Sequence, residues 1–137
     1  QQEVEARARK ALDQGAEATL QAALERWFTP EFLASNAQTP QQVASWRMQA
    51  DRASYGQSAW VLAHGVRELI RPAPPLKHAS LVMTCAEDVG STPQMSWDIA
   101  AEIPGAGCQI VPQLKHLGLL EVPEAFTLPV LDFLQRV

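Results

Sequence analysis

Two residues stand where side-chain type and position together suggest catalysis: Asp88 and His116. Each follows a short apolar run, Ala79 to Cys85 ahead of the aspartate and Cys108 to Val111 ahead of the histidine. Runs of this kind suit strands buried on both faces of a parallel sheet. In open α/β sheets ligands bind outside the carboxyl ends of the strands. Residues just after two neighbouring strands therefore project to one edge. A carboxylate beside an imidazole fixes its tautomer and stabilises the imidazolium, which is what a general base for a serine hydroxyl or a water requires. Taken singly, Asp88 is an ordinary turn residue and His116 an ordinary loop residue. Taken together, each at a strand end, they favour the catalytic reading. Glu87 is a competing carboxylate next to Asp88.

The elements that must position this pair change character near Pro72-Ala73-Pro74-Pro75. Prolines lack an N–H and restrict the residue before them, so this cluster predicts a connector. Residues 1–72 read as a helical unit. Val4, Ala8, Ala11 and Leu12 share one side of a first helix that Gly15 ends. Ala18 to Phe28 carry a second apolar face. Thr39-Pro40 reads as an N-cap with proline at the first helical position, and Ser54 as the cap of a helix running through Trp60 to Ile70. Residues 73–137 read as strand, helix, strand, helix. The helices are expected over Pro93 to Ile103 and over Pro123 to Gln135, with Pro129 kinking or interrupting the last one. That order implies parallel pairing with a right-handed crossover. Two strands do not make a stable open sheet, so other strands are expected to cover their edges.

The segment Leu81-Val82-Met83-Thr84-Cys85-Ala86-Glu87-Asp88-Val89-Gly90-Ser91-Thr92-Pro93 resembles the strand, acid loop and helix start of the α/β-hydrolase family. Ile103-Pro104-Gly105-Ala106, then Lys115-His116-Leu117 and Glu121-Val122-Pro123-Glu124-Ala125-Phe126, resemble its histidine region. The family's order of nucleophile, acid and histidine agrees with Asp88 before His116. Leu24 to Phe32, and Tyr55 ahead of Ala59-Trp60, are similar to the lid of 3-oxoadipate enol-lactonases, which hydrolyse a small anionic enol-lactone in aromatic-compound degradation.

The resemblance implies an α/β fold of a particular kind. A helical lid (residues 1–72) is followed by the last strand–helix–strand–helix units of a mostly parallel hydrolase core (73–137), which a missing N-terminal part completes. It implies hydrolysis of a small lactone or carboxylic ester by a Ser-His-Asp triad. Asp88 and His116 would be two of its members, and a companion N-terminal chain would supply the serine. No cofactor is implied. Trp27 and Trp60 are the expected aromatic wall of the pocket, and Arg26 a partner for a substrate carboxylate, with pairing to Glu25 or Glu31 as its ordinary alternative.

The chain also departs from the family pattern. It holds no G-x-S-x-G elbow and no HGGG-type segment, Ser91 and Ser96 stand in the wrong context to replace the nucleophile, and Lys115, expected to face solvent, precedes the histidine where small residues are common. Two other readings therefore stay open: a non-catalytic interaction module that keeps an idle Asp/His pair, and a dehalogenase-type hydrolase with an Asp nucleophile.

Bulk properties narrow the partners. The chain has 137 residues, 47% of them hydrophobic, and a formal charge of −4. That length suits one domain or two small subdomains. With no basic cluster to neutralise phosphates, nucleic acid is not an expected partner. No apolar run approaches the roughly 20 residues of a membrane span. His64, His78 and His116 have no metal-ligand spacing. Cys85 and Cys108 read as two buried free thiols of a cytoplasmic protein, with a disulfide as the alternative. Gln1 in place of Met points to a processed chain or a piece of something longer.

Overall fold

The computed structural model describes residues 5–6, 9–10, 13–15, 17–65, 70–71 and 73–137. The apolar positions Val4, Ala8, Ala11 and Leu12 of the expected first helix lie outside these residues, as do Val66 and Leu69. Gly15 has φ +82°, the left-handed conformation that a helix-ending glycine adopts without strain.

The chain forms two compact units, one made of residues 1–25 and 36–72, the other of 26–35 and 73–137. Sequence reading places a single division at the proline cluster. The segment Arg26–Ser35 departs from this and clusters with the second unit. Its reason is a set of polar ties: the Leu117 N–H donates to the Trp27 carbonyl at 2.8 Å, and Thr29 is bonded to Glu121.

The first unit is helical. A 3-10 turn over Glu17–Thr19 leads into α1 (Leu20–Trp27), the last residues of which pass into the second unit; α3 (Gln38–Gln49) and α4 (Arg52–His64) also belong to the first. The caps differ from those expected. Asn36, not Thr39, begins α3 by accepting the Thr39 N–H at 3.1 Å, so Thr39 lies inside the helix. Asp51, not Ser54, caps α4 by accepting the Ser54 N–H at 2.8 Å. A carboxylate or amide three residues upstream satisfies an otherwise unpaired N–H of the first turn more directly than a hydroxyl already within it. Ala23, Val43 and Ala63 are buried here, and Arg47 is buried with its guanidinium over Tyr55 and bonded to the Thr19 hydroxyl.

The second unit carries the short helix α2 (Pro30–Ser35), strands β1 (Leu81–Cys85) and β2 (Gly107–Val111), α5 (Pro93–Glu102) between them, and α6 (Gly118–Glu121) and α7 (Glu124–Gln135) after them. Phe28 is fully buried and stacks on Phe32. The strands pair in parallel with Leu81 opposite Gly107 and Cys85 opposite Val111. Thr92 caps α5 through its hydroxyl, and Pro93 occupies the first turn, where its missing N–H costs nothing. Helix α7 continues through Pro129 to Gln135. The proline falls in the middle of the helix, where its missing N–H removes one ladder bond, and the helix runs on without the interruption that the sequence reading allows.

The core of this unit is small: Cys85, Val111 and Leu114, packed by Met83, Ala125 and Phe126. Only the carboxyl ends of the strands are buried; Leu81 to Met83 are half-buried, and Gly107, Cys108 and Gln109 are exposed. The expectation of two buried thiols holds for Cys85 and fails for Cys108, which lies in the exposed first part of β2; both thiols are free. Val130, Leu131 and Leu134 of α7 are likewise exposed.

Candidate active site

The acid loop is built by the end of β1. Beyond Cys85 the chain turns back on itself, with the Asp88 N–H donating to the Cys85 carbonyl at 3.2 Å. The Ala86 and Glu87 amides donate to the carbonyls of Val111 and Leu114, which ties the loop to the end of β2. Thr84 holds the far side by donating its hydroxyl to the Ser91 carbonyl at 2.6 Å. Asp88 is thereby buried, with one carboxylate oxygen accepting the N–H groups of Gly90 at 2.7 Å and Ser91 at 2.9 Å. Its other oxygen accepts from His116 Nδ1 at 2.7 Å.

Burial pushes the Asp88 carboxyl up. The Ser91 N–H, the His116 ring, the Gly90 N–H and the histidine's charge together more than offset this, and the group titrates below its ordinary value of 3.8. It is ionised at neutral pH, and an ionised carboxylate only accepts. The proton of a neutral His116 therefore sits on Nδ1, and Nε2 carries the lone pair. The histidine side chain is 41% exposed, so Nε2 can meet a reacting group, whereas the aspartate at 4% is held away from solvent.

His116 lies on the loop between β2 and α6. Gln113 turns the chain with φ 60°, Leu114 plugs into the core, and Gly118 is buried at the start of α6. A Cβ at Gly118 would lie 2.7 Å from Leu114 Cβ and 2.8 Å from Cys85 Sγ, so only glycine allows this approach. Burial pushes the Cys85 thiol up to about 11, with the Asp88 and Glu121 charges adding to it against a bond from the Gly118 amide. It is a protonated packing group beneath the site.

Trp27 stacks on His116, with ring centroids 6.5 Å apart and planes inclined by 27°, and the Arg26 guanidinium lies 6.0 Å from the Trp27 ring centroid. Asp88, His116, Trp27 and Arg26 thus share one unit. Trp60 belongs to the other, where it stacks on His64 at 4.1 Å and lies beneath Arg9. Glu87 is exposed and does not take the place of Asp88; it lines a recess of about 580 Å³ with Thr29, Glu31, Gln113 and Lys115, and neither Asp88 nor His116 lines that recess. Lys115, expected in solvent, is half-buried there. Among the described residues no group of three or more His, Cys, Asp or Glu side chains is placed to hold a metal ion.

Several supporting residues escaped the sequence reading. Gly90 and Ser91 had a local signal, since an aspartate with glycine two residues on forms a turn closed by its own carboxylate. Thr29 and Glu121 had none, lying 92 residues apart.

No protein-family model and no curated protein matches the chain. Solved structures do. The chain is similar to an enol-lactonase from Burkholderia xenovorans LB400 at 28% identity and a TM-score of 0.84, over 94% of this chain and 48% of that one. It is similar to a hydrolase from Pseudomonas aeruginosa PA01 at 24% identity and a TM-score of 0.82, over 96% and 49%. A thermophilic esterase from Thermogutta terrifontis matches at 18% identity and a TM-score of 0.80, over 99% and 51%. The chain therefore folds as the C-terminal portion of an α/β-hydrolase. It spans about half the length of these structures. No helix among the described residues is long and apolar enough to cross a membrane.

Proposed function

We propose that this chain forms part of a serine hydrolase acting on a small lactone or carboxylic ester, with an enol-lactonase-like substrate. The observation that carries the proposal is the 2.7 Å bond from His116 Nδ1 to a buried, ionised Asp88. It leaves Nε2 as the base. In the proposed reaction His116 takes the proton of a serine hydroxyl as the oxygen attacks the substrate carbonyl. It then gives that proton to the leaving oxygen. A water, deprotonated in the same way, releases the acid product. Asp88 stays ionised throughout and stabilises the imidazolium.

The serine and the donors for the oxyanion come from a companion N-terminal part. The exposed apolar side chains of α7 and the exposed first residues of β2 support such a neighbour, since a chain with so small a core gains by covering them. Arg26, in the same unit as His116, is proposed to meet a substrate carboxylate. The similarity to a structure described as an enol-lactonase supports the choice of a lactone. A cytoplasmic setting suits two free thiols.

A fluorophosphonate probe tests the reading. With the full-length protein it should label one serine outside residues 1–137, and His116→Ala should abolish that labelling. Absence of labelling in the unaltered protein would remove the serine mechanism and leave an Asp nucleophile or an idle pair.

A further inference from the structure

Asp88 holds His116 by one nitrogen only. A single hydrogen bond fixes the Nδ1 edge but leaves the imidazole plane free to tilt about the bond. A general base works only within about 0.5 Å and 10–20° of its productive geometry, so a second restraint on the ring face is expected. Trp27 is in that place, stacked on His116 with centroids 6.5 Å apart and planes inclined by 27°.

The tryptophan is itself fastened to the segment it restrains. Its carbonyl accepts the N–H of Leu117, the residue next to the histidine, at 2.8 Å. Two residues beyond Trp27, Thr29 donates its N–H to the Glu121 carboxylate at 2.8 Å and its hydroxyl at 2.5 Å. The stretches 27–29 and 116–121 are thus joined at both ends, with the indole against the imidazole. The bond to Leu117 uses the Trp27 main-chain carbonyl, so it does not depend on the Trp27 side chain.

We infer that Trp27 is a positioning residue for His116, setting the plane of the imidazole through its face while Asp88 sets its edge. This rests on the reading of His116 as the general base. It differs from the role of a pocket wall, which would touch substrate and act on KM.

The test combines kinetics and proton NMR on the full-length protein. In the unaltered protein, an Overhauser contact should join the Trp27 indole to the His116 ring, and a downfield Nδ1 proton should report the bond to Asp88. Trp27→Leu should move the His116 ring resonances and broaden the Nδ1 proton through exchange. For hydrolysis of 4-nitrophenyl acetate, Trp27→Leu should lower kcat by about 10–100-fold with KM changed by less than about 2-fold, as a misplaced base does. Trp27→Phe should restore most of kcat. A raised KM with unchanged kcat in both variants would overturn the inference and make Trp27 a wall. So would absence of the Overhauser contact in the unaltered protein, a result that does not depend on how the variants fold. If the unaltered protein hydrolyses no ester or lactone, the hydrolase reading falls, while the NMR comparison still decides whether Trp27 holds the imidazole.

Discussion

The carboxylate of Glu121 accepts both the backbone N–H and the hydroxyl of Thr29, across 92 residues of sequence. Thr29 is buried, so losing Glu121 leaves two donors without a partner in a place water does not readily reach. Glu121→Ala should therefore destabilise the protein by about 1–3 kcal/mol. Urea denaturation followed by tryptophan fluorescence measures it, and an unchanged midpoint would mean that the bond contributes nothing net.

Gly118 supports the histidine loop by having no side chain. A Cβ there meets Leu114 and Cys85 within 3 Å, and both neighbours are buried in the small core. Gly118→Ala should cost about 1–3 kcal/mol by overpacking and lower the catalytic rate by displacing His116. A variant with unaltered stability and rate would show that the loop relaxes freely.

Acid should weaken the fold through Asp88. Its folded-state pKa lies below the ordinary 3.8, so the unfolded chain takes up a proton first as pH falls. The carboxylate's contribution is fully present above that ordinary value and is lost as pH drops through the lowered one. Asp88→Asn should remove this part of the acid dependence. Denaturation midpoints at about pH 7 and about pH 3 for both proteins measure it; equal losses would place the acid sensitivity elsewhere.

The two thiols should react differently. Cys108 is exposed, whereas Cys85 is buried with its thiol pushed up to about 11. The thiolate is the nucleophile, so iodoacetamide at neutral pH should alkylate Cys108 alone until the protein unfolds. Peptide mass mapping reads the outcome. Early modification of Cys85 would contradict its place beneath the Asp88 loop.

The second half of the fold was legible because its signals are local. Both strands are short and mostly apolar, Thr92-Pro93 marks a helix start, and Asp88 and His116 each fall in the loop just beyond a strand end. The first half was less so. Its helix starts are set by the side chains of Asn36 and Asp51 rather than by the hydroxyls of Thr39 and Ser54, and period alone does not separate these choices. The tie of Arg26–Ser35 to the histidine region was beyond sequence reasoning, because it depends on a tertiary hydrogen bond from Leu117 and on the distant pair Thr29 and Glu121. The exposure of Cys108 follows from what packs on β2, which no property of the strand's own residues encodes.

The central claim is that His116 is the general base of an ester or lactone hydrolase. The kcat of His116→Ala against that of the unaltered full-length protein, on one small ester and one small lactone, tests it most directly. The account predicts a fall of at least about 10³-fold with the fold intact, as for other triads. A kcat within a few-fold of the unaltered value would contradict it.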